Sequence, residues 1–218
     1  MSFPTPSLSH LSRADYAQVY EPSTDTFLFL DALEQERATL LALRPAVCVE
    51  IGPGSGCILS FLSALLDVPA FMLGIDINPS ACRATLRTLA ANKAHAADVV
   101  VGDLCCGFEA ARGPLAHKVD VLLFNPPYVP TDMCELQGTG IERAWAGGPD
   151  GRVVVDKLLP LVKDLMSDKG IFYLLALREN KPDQIASLMK EEGFSASIVL
   201  KRATGGENLC IMKFTRAH

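Results

Sequence analysis

The sequence predicts an α/β fold: a doubly wound, mostly parallel sheet of seven strands that closes on a C-terminal antiparallel hairpin. Three observations carry this. Short apolar runs alternate with helix-length amphipathic stretches as far as residue 192. A glycine run, Gly52-Pro53-Gly54-Ser55-Gly56, follows the first of those apolar runs. The last two strands, 195–201 and 208–215, are joined by Ala203-Thr204-Gly205-Gly206, a hairpin turn, with no helix between them.

Residues 1–19 are polar and Ser/Pro-bearing and read as a loosely ordered lead-in. Tyr20-Glu21-Pro22-Ser23 turns into a helix capped by Ser23 or Thr24, which runs from Thr26 to about Leu43. Its Phe27, Leu30, Leu33 and Leu40 recur at helical spacing and are assigned to a core face, and Pro45 stops it. Strand 47–51 leads through the glycine run to helix 58–66, and strand 71–76 leads to a helix from Pro79 to about Asn92. Strands 98–101 and 119–124 follow. Loop 129–151, rich in glycine and charge, precedes helix 153–166, strand 170–177 and helix 182–192. No repeat or low-complexity segment interrupts this order, and the 218 residues read as one domain.

Composition narrows the class. Apolar residues make up 49% of the chain, and a mean hydropathy of +0.23 is high for a soluble protein. Either a sheet buried on both faces or a partner covering apolar surface accounts for that. No apolar run reaches membrane-spanning length, and the N-terminus lacks a secretory pattern. Seven cysteines, an odd number with no C-x-x-C pair, indicate neither a disulfide framework nor a zinc site. A reducing compartment is expected, the cytoplasm and with it the nucleus. His10, His95, His117 and His218 form no cluster and read as surface residues. A net charge of −5 and a pI near 5.4 argue against a broad nucleic-acid footprint.

In a doubly wound sheet, ligands bind at the carboxyl ends of the strands, where the strand order reverses. Gly52–Gly56, Asp76, Asp103 and Asn125 all fall at such ends. The glycines let a ligand lie against backbone, but the third arrives one residue too early for the dinucleotide fingerprint G-x-G-x-x-G. Asp76 follows the last glycine by 20 residues, where a carboxylate accepts from ribose hydroxyls; its bland alternative is a helix cap. Asp103, with Leu104 packing on the ring, is placed to accept from an adenine amino group, and Glu50 to meet a cationic amino group or stiffen the turn. The fourth strand ends in Asn125-Pro126-Pro127-Tyr128. Two consecutive prolines fix their own φ, extend the residues before them and contribute no N–H. The product is a stiff loop offering carbonyl oxygens, a device for holding an –NH2 group.

On Tyr20–Leu30, Glu50–Gly56, Asp76, Asp103, Asn125–Tyr128 and Ala144-Trp145-Ala146-Gly147-Gly148, the chain resembles a class I S-adenosylmethionine-dependent methyltransferase with a Rossmann-like sheet. More narrowly, it resembles the HemK-type family that methylates the glutamine side-chain amide of translation release factors, in its short eukaryotic-type branch. The likeness covers about residues 16–216. It implies S-adenosylmethionine as cofactor: Tyr20 and Thr26 close over its methionine end, Glu50, Gly52, Gly54 and Asn125 line it, Asp76 holds the ribose, and Asp103 and Leu104 hold the adenine. It also implies a small zinc-binding activator subunit that joins the edge strand from Asp98 to Val101.

An amide nitrogen is a poor nucleophile, so positioning has to do most of the work. The Asn125 side-chain oxygen and the Pro126 carbonyl are expected to take its two N–H bonds. Tyr128 would pack on the amide plane, and Trp145 with its glycine-rich loop would form the mouth. The Asn-Pro-Pro-Tyr tetrad also suits a lysine amine, such as one on a histone, or adenine in DNA. For DNA a basic face is expected, whereas Lys181, Lys190, Lys201 and Arg202 are scattered. A non-catalytic scaffold would be expected to lack Asn125 or Asp76, and both are present.

Overall fold

The computed structural model describes residues 3–66, 68–94, 96–105, 111–135 and 141–217. Residues 1–2 of the lead-in, His95, Cys106, His218 and residues 136–140 of the long loop lie outside them. The strands are β1 (Val47–Ile51), β2 (Phe71–Asp76), β3 (Ala96–Val101), β4 (Val119–Phe124), β5 (Met166–Leu177), β6 (Phe194–Thr204) and β7 (Glu207–Arg216). They form one sheet in the order β3-β2-β1-β4-β5-β7-β6. β1 to β5 pair in parallel, and β7 runs antiparallel to both β5 and β6. This is the predicted sheet, with its reversal of strand order between β1 and β4.

Side chains alternate between two cores, as period-two geometry requires. Cys48, Met72, Val121, Leu123 and Tyr173 face one side, under α2 (Thr24–Gln35), α3 (Arg37–Leu43) and α4 (Cys57–Leu66). Val49, Leu73, Ile75, Leu122 and Phe172 face the other, under α6 (Val153–Leu165) and α7 (Pro182–Glu191). Both sheet faces are therefore buried, which accounts for much of the high hydropathy. α5 (Pro79–Ala91) starts where Asn78 accepts from the Ser80 N–H at 2.9 Å, with Pro79 at the first helical position. The closing hairpin pairs Thr204 with Glu207 around Gly205 and Gly206, both at positive φ, the two-residue turn that matches strand twist.

Three expectations are corrected. The predicted helix to Leu43 is two helices, broken at Glu36, whose φ and ψ of −84° and 3° leave the helical range. There the Glu36 carboxylate accepts from Tyr173 Oη at 2.9 Å and pairs with Lys213. Phe27 is not core but 42% exposed, because α2 buries Phe29, Leu30 and Leu33 while residues 27 and 31 share its outer face. The lead-in is packed rather than loose. It carries the short helix α1 (Arg13–Tyr16), Leu11 and Val19 pack on Ala81 and Ala84, and Ser7 exchanges hydrogen bonds with Asn92 at 2.8 and 3.0 Å. Among the described residues no helix is long and apolar enough to cross a membrane.

Candidate functional site

A crevice of about 1000 Å³ opens at the carboxyl ends of β1, β2 and β4, beside the reversal of strand order. Every residue assigned to it from sequence lines it: Tyr20, Thr26, Glu50, Gly52, Gly54, Asp76, Asp103, Leu104 and the tetrad from Asn125 to Tyr128. Trp145 lines it too, half-buried at the wall rather than in the core.

The floor is the turn from β1 to α4. Gly54 has φ +56°, and a Cβ built on it meets nothing within 4 Å, so the turn presents bare backbone to the crevice. Gly56 serves packing instead, since a Cβ there would lie 2.8 Å from the Thr85 Cα of α5. Two hydroxyls of α5 hold the turn from behind: Thr85 Oγ1 donates to the Gly54 carbonyl at 3.0 Å, and Thr88 Oγ1 to that of Ser55 at 2.6 Å. Asp76, buried at the end of β2, accepts from the Gly54 N–H at 3.1 Å and the Asn78 N–H at 2.8 Å. It thus ties two crevice-lining turns together, while Asn78 caps α5. A carboxylate has about four lone-pair sites, so hydroxyl donors can still reach it. Burial raises its proton affinity, and the two N–H bonds pull it partly back.

Glu50 is 1% exposed, and its Oε2 has no hydrogen-bond partner among the described residues. Burial pushes its carboxyl up to about 8, the Asp76 charge adds to that, and a backbone bond from Leu59 opposes it. An unpartnered buried carboxylate oxygen beside open glycine backbone suits a cationic donor. On the far wall, Asp103 is exposed and Leu104 sits at φ +53°, a left-handed conformation that side chains seldom adopt.

The tetrad leaves β4 opposite this floor. The Asn125 Oδ1 is buried and lacks a partner among the described residues, while its Nδ2 donates to Asp25 Oδ2 at 2.9 Å. Tyr20 Oη donates to the other Asp25 oxygen at 3.2 Å. Burial, aided by Asp25, raises the Tyr20 hydroxyl to about 12, so it stays a donor. Tyr128 is buried as well, and burial with the nearby Asp25 and Glu207 charges moves its phenol upward.

The loop after the tetrad folds back onto it. Val129 donates to the Trp145 carbonyl at 3.0 Å, and Gly147 to that of Val129 at 2.8 Å. Asn180, 1% exposed, closes this clasp by donating from Nδ2 to the Tyr128 carbonyl at 2.8 Å and the Asp150 carbonyl at 2.9 Å. Its Oδ1 accepts from the Leu177 N–H at 2.6 Å. Sequence reasoning missed Asp25 and Asn180. An acid in the first turn of an otherwise apolar helix was a usable signal for Asp25; Asn180 offers no local signal.

No protein-family model matches the chain. Over 216 residues it is 44% identical to the human methyltransferase HEMK2, covering 99% of this chain and 98% of that protein. It is 38% identical to the eRF1 methyltransferase catalytic subunit mtq2 of Schizosaccharomyces pombe, covering 97% and 95%. Among solved structures it is similar to the E. cuniculi Mtq2–Trm112 complex, responsible for methylating the termination factor eRF1, with a TM-score of 0.68 and 28% identity over 91% of this chain and 99% of that one. Shared sequence over nearly the whole length, on a sheet that gathers the glycine turn and the Asn-Pro-Pro-Tyr loop into one crevice, makes this chain a member of the HEMK2/Mtq2 family of methyltransferases.

Proposed function

We propose that this chain methylates the side-chain amide nitrogen of glutamine in a class-1 translation termination factor, with S-adenosylmethionine as donor and a small zinc-binding subunit as partner. The observation that carries it is the buried Oδ1 of Asn125, without a partner among the described residues, on a crevice also lined by Glu50, whose Oε2 has none there either. The related mtq2 and Mtq2–Trm112 proteins, which act on eRF1, support the choice of substrate and partner. An activity on a termination factor belongs to the cytoplasm, where translation ends.

The residues fit the donor: Glu50 for its ammonium, Thr26 and Tyr20 over its methionine end, Gly52 and Gly54 beneath it, Asp76 for ribose hydroxyls, Asp103 and Leu104 for adenine. When bound, S-adenosylmethionine supplies an electrophilic sulfonium methyl. Asn125 Oδ1 and the Pro126 carbonyl each accept one amide N–H, which turns the nitrogen lone pair towards that methyl. Tyr128 packs on the amide plane and holds it there. With the donor bound, the oriented nitrogen would take the methyl as the donor's S–C bond breaks to leave a neutral thioether, and the nitrogen would then give one proton to water. The test is transfer of labelled methyl to purified eRF1, followed by mapping of the modified residue. Label on glutamine is expected; label on lysine, or none, overturns the reading.

Glu50 gives a pH signature. In the unfolded chain such a carboxyl ionises at about 4.3, whereas in the fold it holds its proton up to about 8. The folded form therefore binds the extra proton between those values, and the free chain loses stability as pH rises through that window. A cationic ligand at Oε2 favours the ionised form, so cofactor binding at pH 7 is expected to release close to one proton. Calorimetry in buffers of different ionisation enthalpy reads that number, and Glu50→Gln should reduce it to near zero.

The edge strand β3 is where the partner is proposed to add. Among the described residues it is paired only with β2, and Val101 on it is 55% exposed. Burying a valine contributes about 1.5–3 kcal/mol, so Val101→Asp is expected to weaken the heterodimer by at least about tenfold without unfolding the chain. Co-purification and a binding titration check this, and unchanged affinity would move the interface elsewhere.

A further inference from the structure

Asn125 accepts a substrate N–H, as proposed above, only while its side-chain oxygen is turned to the substrate. A carboxamide has an oxygen and a nitrogen of nearly equal size, and a half-turn about its last bond exchanges them. With Nδ2 turned to the substrate, the site would present donors to a donor. Something has to forbid that orientation, and the tetrad's own backbone cannot, because its rigidity ends at the Asn125 Cα.

Resting on that reading, we infer that Asp25 is the positioning residue that sets the Asn125 carboxamide with its oxygen towards the acceptor. An ionised carboxylate only accepts hydrogen bonds. Its Oδ2 lies 2.9 Å from Asn125 Nδ2, so the flipped carboxamide would place two acceptors in contact. Asp25 is itself held in place: it is 3% exposed, it lies in the first turn of α2 where the helix favours an anion, and its Oδ1 takes the Tyr20 hydroxyl at 3.2 Å. Among the described residues no ion pair includes it. Its charge is met by neutral donors, and it polarises the Asn125 amide so that Oδ1 accepts more strongly. That effect grows as the substrate nitrogen gains positive charge on attack, so it favours the transition state over the bound substrate.

The test compares Asp25→Asn with wild type in the assembled complex. An asparagine at 25 is nearly the same size but can donate to Asn125 Oδ1, which removes the bias. Expected is a fall of about 100-fold in kcat, with cofactor Kd and the unfolding midpoint close to wild type. In the Asn125→Ala background the same change should cost nothing further. Nuclear magnetic resonance gives a readout independent of turnover: the Asn125 side-chain amide protons, identified by their loss in Asn125→Ala, should shift downfield in wild type and return in Asp25→Asn. Turnover within threefold of wild type overturns the inference, as does an unmoved amide resonance. A loss of cofactor affinity that matches the loss of rate also overturns it, since Asp25 would then act on the donor. If wild type methylates lysine rather than glutamine, the proposed substrate fails while the coupling of Asp25 to Asn125 is still measured on that acceptor.

Discussion

Asn125→Ala is expected to lower kcat by roughly 10³-fold or more, because it removes a preorganised acceptor and with it the alignment of the nucleophile. The variant loses the Oδ1 that has no other partner among the described residues, and the substrate amide keeps only the Pro126 carbonyl. One hydrogen bond fixes a point but not a plane, so the lone pair is free to turn away from the methyl. The proposed donor side of the crevice comprises Glu50, the glycine turn and Asp76, and among the described residues the hydrogen bond of the Asn125 side chain goes to Asp25 instead. Cofactor Kd is therefore expected to change by less than about fivefold, since a typical single hydrogen bond contributes roughly 1 kcal/mol. Single-turnover transfer and a cofactor titration on the same preparation separate the two effects. Turnover within tenfold of wild type would sink the orienting role.

Gly151→Ala is expected to be strongly destabilising. A Cβ at Gly151 would lie 2.0 Å from the Tyr128 carbonyl oxygen and 2.5 Å from Asn180 Nδ2, and the backbone sits at φ +65°. Neither neighbour is the loose end of a flexible side chain: one is backbone, and the other is an amide pinned between carbonyls. The left-handed conformation costs a non-glycine residue about 1–2 kcal/mol, and breaking the Asn180 clasp costs about 1–3 kcal/mol for each carbonyl left buried and unbonded. A loss of about 3 kcal/mol or more is expected in denaturant unfolding. Asn180→Ala should cost about 2–4 kcal/mol on the same grounds, without the clash. Because the clasp ends on Tyr128, both variants are expected to lose activity even where they remain folded. A Gly151→Ala protein that unfolds at the wild-type midpoint would remove the clasp from the account.

Much of the crevice was legible because its parts are local. The diproline stiffens its own loop whatever surrounds it, and a glycine run after a short apolar strand states its backbone need directly. Strand ends were easy to place because β1, β2 and β4 are largely buried on both faces and read as short, mostly apolar runs, each carrying one acidic residue (Glu50, Asp76, Asp120). Phe27 was misplaced for the complementary reason. Helical spacing shows that an apolar stripe exists, but α2 packs against α4 on one side and the β6–β7 hairpin on another, and that geometry decides which residues lie outside. The lead-in misled because the residues that order it come from far along the chain: Leu11 and Val19 pack on α5, Phe3 meets Phe61 of α4, and Ser7 and His10 bond to Asn92 and Thr88.

Sequence by itself determined the sheet, the glycine floor and a rigid acceptor loop at the end of β4, since each follows from dihedral limits and periodicity within a few residues. It also carried the family likeness. The tertiary structure alone decided which way Asn125 points. Asp25 lies 100 residues earlier in the chain, and it reaches Asn125 only because the start of α2 is folded over the end of β4. Asn180 likewise comes 52 residues after the Tyr128 carbonyl that it holds. A hydrogen bond acts over about 3 Å, a distance that chain order does not encode and only the packed sheet supplies.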